Sequence, residues 1–160
     1  VEPRAMREAL RSFSGLPHRL ERLCTVEGVL YVNDSKGTNV GAAVKSLESF
    51  EAPVILLAGG RDKGGDYAPL AEAARGKVKA VVLMGEAREK IAAALNEGVE
   101  TVTADTMEKA VRRASSMAAP GDVVLLSPAC SSFDMYEDFE ERGRAFRTAV
   151  EELPAGNTVR

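Results

Sequence analysis

Three short polar clusters carry the residue types that bind anions. The first is Asn33-Asp34-Ser35-Lys36-Gly37-Thr38-Asn39, the second Gly59-Gly60-Arg61-Asp62-Lys63-Gly64-Gly65, and the third Ser127-Pro128-Ala129-Cys130-Ser131-Ser132. In the first, Thr38 or Ser35 can cap a helix beginning near Asn39. The free N–H groups at such a helix start favour a carboxylate or phosphate, and Lys36 adds a mobile charge. Asp34 and Ser35 can equally shape a plain turn, with Lys36 in water. In the second cluster, glycines on both sides of Arg61, Asp62 and Lys63 let the backbone approach a ligand and let the lysine swing. It is not a Walker A loop, which needs Gly-x-x-x-x-Gly-Lys followed by Ser or Thr. In the third, Ser131 and Ser132 precede Asp134 and a long helix, so they read as N-caps whose exposed amides can also serve an anion. Cys130 reads as a buried, inert thiol.

Ahead of these lies Gly15-Leu16-Pro17-His18-Arg19, with the sole histidine of the chain. A lone histidine is ordinarily structural, whereas the Arg19 guanidinium can grip a phosphate bidentately. Two cysteines and one histidine exclude a disulfide framework or a His-rich metal cluster. The cysteine usage suggests a reducing, cytoplasmic compartment. A net charge of −3 with no basic tract argues against general nucleic-acid binding. The longest apolar runs, such as Val54 to Ala58, fall far short of a membrane span. With 160 residues, 45% of them hydrophobic, the chain suits one globular domain. It opens without a methionine or a signal peptide, as if cut from a longer protein.

The elements that must position the clusters alternate between strands and helices, the pattern of an α/β fold. Strands are expected at 30–32, 53–58, 80–84, 100–103 and 123–127. Leu23 to Val26, Glu27-Gly28 and Val29 to Val32 read as a hairpin. A helix after Thr38 carries Val40, Ala43, Val44 and Leu47 on one stripe. Another follows Asp105, with Asp105 and Glu108 spaced as a capping box. Further helices are expected over 66–75, 86–96 and about 135–153. The resulting fold class is a Rossmann-like, mostly parallel sheet of about six strands, with one antiparallel edge strand and helices on both faces. In such a sheet ligands bind beyond the carboxyl ends of the strands, where all three clusters fall.

Taken in order, Gly15 to Arg19, Asn33 to Asn39, Gly59-Gly60-x-x-Lys63, Leu126 to Asp134 and Phe139-Glu140-x-Arg142-Gly143 resemble the carboxy-terminal domain of the Mur ligases, in its D-glutamate-adding branch. The resemblance implies an amide ligase of peptidoglycan synthesis that activates a carboxylate with ATP as an acyl phosphate. It implies that UDP-N-acetylmuramoyl-L-alanine, ATP and D-glutamate are bound by successive domains. This chain would be the third, with ATP and Mg²⁺ held mainly by an absent middle domain. Carried over by residue, Lys63, Thr38, Ser132 and the backbone near Phe133 and Phe139 would hold D-glutamate. Arg19, Asp34 and Lys36 would face ATP, with His18, Ser35 and Asn39 in support. The corresponding domain would cover residues 15–153, after a linker or lead-in helix over 1–14 and before a frayed tail over 154–160. One rival reading keeps the class and changes the substrate, an amide ligase adding a different amino acid or adding glutamate to folate; the other is a free-standing Rossmann-like nucleotide-binding or interaction module without catalysis.

Overall fold

A computed structural model describes residues 15–154. The expected lead-in over 1–14 lies outside the described residues, as does the tail from 155 onward. Chain order gives β1 (Glu21–Val26), β2 (Val29–Asn33), α1 (Val40–Glu48), β3 (Val54–Gly59), α2 (Ala68–Ala74), β4 (Val78–Met84), α3 (Arg88–Leu95), β5 (Glu100–Thr103), α4 (Met107–Met117), β6 (Val123–Leu126) and α5 (Phe139–Glu151).

The hairpin forms as expected: β1 and β2 pair antiparallel, turning on Glu27 and Gly28, which both hold positive φ (50° and 80°). Two successive left-handed residues match the strand twist, which is why Gly occupies the second. The remaining pairings are parallel, and the sheet order is β1-β2-β6-β3-β4-β5. The central strands β3 and β6 are buried along their whole length, so they read as continuous apolar runs rather than alternating ones. Period-two geometry divides them between two cores. Val32, Leu56, Ala58, Leu83 and Leu125 face Leu47, Leu70 and Ile91 of α1, α2 and α3. Tyr31, Ile55, Leu57, Val82 and Leu126 face Val111 and Ala114 of α4 and Phe146 and Val150 of α5.

Several helix starts differ from expectation. The cap of α1 is Asn39, whose side chain accepts from the Ala42 N–H, rather than Thr38 or Ser35. Thr106, not Asp105, caps α4 by accepting from the Lys109 N–H; Asp105 instead pairs with Lys109 Nζ at 3.4 Å. The last helix starts at Phe139 rather than near 135: the Met135 and Tyr136 amides close one isolated turn on the Ser132 carbonyl (3.1 and 2.8 Å), and the extended backbone of Asp138 (φ −154°, ψ 176°) separates it from the helix. Asp138, rather than Ser131 or Ser132, is its cap.

The strand order has a functional consequence. From β3 the chain proceeds outward through β4 to β5, then returns by way of α4 to insert β6 between β2 and β3. This reversal makes the carboxyl ends of β2, β6 and β3 the crevice where ligands of open α/β sheets bind.

Candidate active-site rim

Because β6 lies between β2 and β3, the loop after it lies between the other two. Main-chain hydrogen bonds lace the three together. The Asp34 N–H donates to the Leu126 carbonyl (2.8 Å), Ala129 to Gly37 (2.9 Å), Gly59 to Pro128 (2.9 Å) and Arg61 to Ser131 (3.0 Å). The clusters therefore form one continuous lip.

Two cavities open on that lip. A small one, about 80 Å³, is lined by Thr38 and Asn39 from the first loop, Arg61 and Lys63 from the second, and Cys130 from the third. It has room for several ordered waters or for one charged end of a larger ligand. The other, about 520 Å³, is lined by Leu16, His18, Arg19, Lys36 and Phe139 among others. Here Lys36 Nζ stands 4.0 Å above the centre of the Phe139 ring, a cation–π contact that fixes an otherwise mobile ammonium. The expected sites are thus divided in space: Thr38 and Lys63 share one cavity, and Arg19 and Lys36 share the other with His18. Phe139, expected with Lys63, lines the cavity with Lys36.

Ser132 ends the third loop and lies outside the linings of both cavities. Its hydroxyl is buried and finds no hydrogen-bond partner, nor does that of Ser131. An orphaned buried hydroxyl costs about 1–3 kcal/mol unless something satisfies it, which makes these two the unmet hydrogen-bonding groups of the third loop. The Phe133 side chain is 62% exposed and lies outside the linings of both cavities.

Asp34 is placed inside the domain. Its Oδ2 accepts from Ser46 Oγ (2.5 Å) and Ser127 Oγ (2.7 Å), and its Oδ1 from the Leu20 N–H (3.2 Å). The carboxylate thereby ties the segment before the hairpin to α1 and to the third loop. Ser35 is likewise internal: its hydroxyl donates to the Phe139 carbonyl at 2.6 Å and receives Arg142 Nε at 3.0 Å.

Sequence reasoning singled out neither Arg142 nor Asn33 as a site residue. Arg142 is buried, and its guanidinium also donates to the carbonyls of Cys130 (3.0 Å) and Ser35 (2.8 Å). Among the described residues it has no carboxylate within ion-pair distance. Burial pulls its pKa down to about 10, which leaves a fixed positive charge beneath the lip at neutral pH. Position 142 belongs to the apolar stripe of Phe139, Gly143, Phe146 and Val150, and a charge on the buried side of a helix was the available signal.

The glycine-rich loop is also tethered. Asp62 accepts from the Gly64 N–H (2.9 Å) and from Lys90 Nζ (3.1 Å); the Gly64 amide first, and then Lys90, hold its carboxyl below the usual range. The buried Tyr67 hydroxyl sits 3.3 Å from Cys130 Sγ. Burial pushes both the phenol and the thiol pKa up, in line with the inert thiol expected at Cys130.

The fold has counterparts among solved structures. A bifunctional folylpolyglutamate synthase/dihydrofolate synthase from Yersinia pestis superposes with a TM-score of 0.67 over 94% of this chain and 35% of its own, at 19% identity. The UDP-N-acetylmuramate-alanine ligase of Thermotoga maritima does so at 0.62, over 90% of this chain and 32% of its own, at 17% identity. In sequence, the chain is 56% identical over 96% of its length to the UDP-N-acetylmuramoylalanine–D-glutamate ligase of Salinibacter ruber. It is 52% identical over 92% of its length to that of Geotalea uraniireducens. It spans about a third of the length of these curated relatives (34% and 33%). The family model for the glutamate ligase domain of Mur ligases matches residues 18–130, which include the first two loops of the lip and the third as far as Cys130, and on that match the chain belongs to the Mur ligase family.

Proposed function

We propose that this chain is the amino-acid-binding domain of a longer ATP-dependent ligase that joins D-glutamate to UDP-N-acetylmuramoyl-L-alanine during peptidoglycan synthesis in the cytoplasm. The observation that carries this reading is the small cavity where Thr38, Lys63 and Cys130 meet from three loops, followed by the unpartnered Ser132 hydroxyl. A dicarboxylic amino acid needs cations and hydroxyl donors together, and this lip has both. Relatives named for D-glutamate addition, matching nearly the whole chain, favour it over a free-standing binding module.

In this reading Lys63 and Ser132 hold a D-glutamate carboxylate, and the buried Arg142 charge favours the anion from below. The larger cavity suits a nucleotide's phosphates, with Arg19 and Lys36 supplying charge. Among the described residues no group of three or more His, Cys, Asp or Glu is placed to hold a metal. In this reading Mg²⁺ accompanies ATP, held mainly by residues of the preceding domain, since Mg²⁺ needs only one or two carboxylates beside the nucleotide's phosphates. ATP supplies the phosphoryl group that turns the substrate carboxylate into an acyl phosphate. The glutamate amine then attacks that carbonyl, and inorganic phosphate leaves with the C–O bond. This chain's contribution is positioning: closing the lip onto the preceding domain brings the amine within reach and keeps water from the acyl phosphate. In this reading the small cavity takes one end of the amino acid and the closing domain covers the other.

Phosphate release by the complete protein, given UDP-N-acetylmuramoyl-L-alanine, ATP and Mg²⁺, tests this. Release should require D-glutamate, and the 160-residue chain alone should show none. Equal release with L-glutamate, or turnover by this chain alone, would contradict the reading.

A further inference from the structure

Asn33 ends β2 fully buried, and backbone groups of fixed polarity orient its side-chain amide at both ends. Its Oδ1 lies 3.1 Å from the Ser35 N–H, which can only donate, and its Nδ2 lies 3.2 Å from the Gly143 carbonyl, which can only accept. A flipped amide would oppose two donors at one end and two acceptors at the other. The remaining N–H of Nδ2 meets His18 Nδ1 at 3.1 Å. That ring nitrogen must therefore present a lone pair, and the neutral imidazole keeps its proton on Nε2.

The ring is also fixed in place. A side chain at Gly143 would collide with His18 Nδ1, so glycine on α5 makes the seat. Phe139 meets the imidazole edge-on, at 6.1 Å between centroids and 80° between planes. The His18 backbone holds φ at 64°, with its N–H donating to Glu21 Oε2 (3.0 Å) and its carbonyl accepting from the Lys36 N–H (3.0 Å). His18 lines the larger cavity with Arg19 and Lys36. Among the described residues Nε2 has no partner of its own.

We infer that Asn33 is a positioning residue that locks His18 as the Nε2–H tautomer, giving this cavity a directional N–H donor beside two cations, suited to a phosphoryl oxygen. In the opposite tautomer Nε2 would present a lone pair and repel that oxygen. The choice of ligand rests on the function proposed above; the tautomer does not.

Because the chain has one histidine, long-range ¹H–¹⁵N correlation of the untagged chain in mildly alkaline buffer reads its tautomer without ambiguity. A protonated Nε2 and a pyridine-like Nδ1 are expected; a majority of Nδ1–H, or an averaged mixture, overturns the lock. Asn33→Asp, which puts an acceptor at Nδ1, should reverse the pattern, and an unreversed spectrum from the folded variant also overturns it. If that variant does not fold, the spectrum of the unaltered chain decides. In the complete ligase, His18→Phe should raise the KM for ATP about tenfold, the loss of one charge-assisted hydrogen bond, with the KM for D-glutamate within about twofold. Equal changes in both constants, or none, overturn the phosphoryl assignment. Absence of D-glutamate ligase activity in the unaltered enzyme would instead strike the proposed function and leave the tautomer result intact.

Discussion

The buried hydroxyls of Ser131 and Ser132 make a distinction that most site residues do not allow. A side chain that is hydrogen-bonded in the free protein lowers stability when removed, whereas an orphan does not. Ser132→Ala should therefore leave the midpoint of thermal unfolding unchanged or slightly raised, while the complete enzyme's KM for D-glutamate rises about five- to tenfold, as one hydrogen bond to a charged group predicts. A clear drop in the unfolding midpoint with an unchanged KM would assign Ser132 to structure alone. The residue types of the lip were readable in the sequence, since lysines, glycines and hydroxyls flanking strand ends suggest anion binding by themselves. Their partners were not. The sequence does not show that Asp34 turns inward to Ser46 and Ser127, because those residues meet only when α1 and the third loop converge. Arg142 was hidden for a similar reason: its acceptors, Ser35 and Cys130, lie on two loops distant in sequence.

Secondary-structure elements were legible where periodicity is strong and less so at their ends. The runs of β3, β4, β5 and β6 fall within one or two residues of expectation; β3 and β6 carry the unbroken apolar signature of a buried parallel strand, whereas β5 (Glu-Thr-Val-Thr) is a half-exposed edge strand. Caps were misplaced wherever several short polar residues adjoin, as at Thr38-Asn39, Asp105-Thr106 and the stretch from Ser131 to Asp138. Any of them can cap, and tertiary contacts choose. Asp138→Ala should cost about 1 kcal/mol, read as a lower denaturant midpoint with an unchanged slope; no change would mean that α5 does not depend on the Asp138 contact with the Glu141 N–H (2.7 Å). At the opposite end of the sheet, Asp122 accepts from Lys79 Nζ (2.5 Å) and from the Ala119 N–H (2.8 Å). Burial alone would raise its pKa, but those two donors outweigh burial and hold it below the usual carboxylate value. With the folded value depressed, this pair contributes stability above the ordinary carboxylate pKa of about 4. The contribution is lost as pH falls through the lower, folded value. Asp122→Asn should thus lower the melting temperature at neutral pH and converge with the unaltered chain in strong acid. A difference that persists unchanged in acid would show that the effect is not electrostatic.

At the scale of the whole molecule, the insertion of β6 between β2 and β3 turns three separate loops into one lip. The sequence indicates that strands and helices alternate and that the first pair is a hairpin, but strand order follows from which apolar faces pack best, and no local motif records it. Given that order, one edge of the sheet gathers the charged and hydroxyl residues, and the two faces hold the cores of α1 to α3 and of α4 and α5. The candidate site residues therefore lie along one side of the molecule, and in the proposed function that side closes against another domain. In the proposed function catalysis depends on docking, since the small cavity, about 80 Å³, is meant to receive one end of the amino acid. The most direct test of the central claim is the pair of Michaelis constants of the complete ligase carrying Lys63→Ala. The KM for D-glutamate should rise at least about tenfold, the loss of a charged contact, while that for ATP stays within about twofold. An unchanged KM for D-glutamate would contradict the assignment of this lip as the amino-acid site.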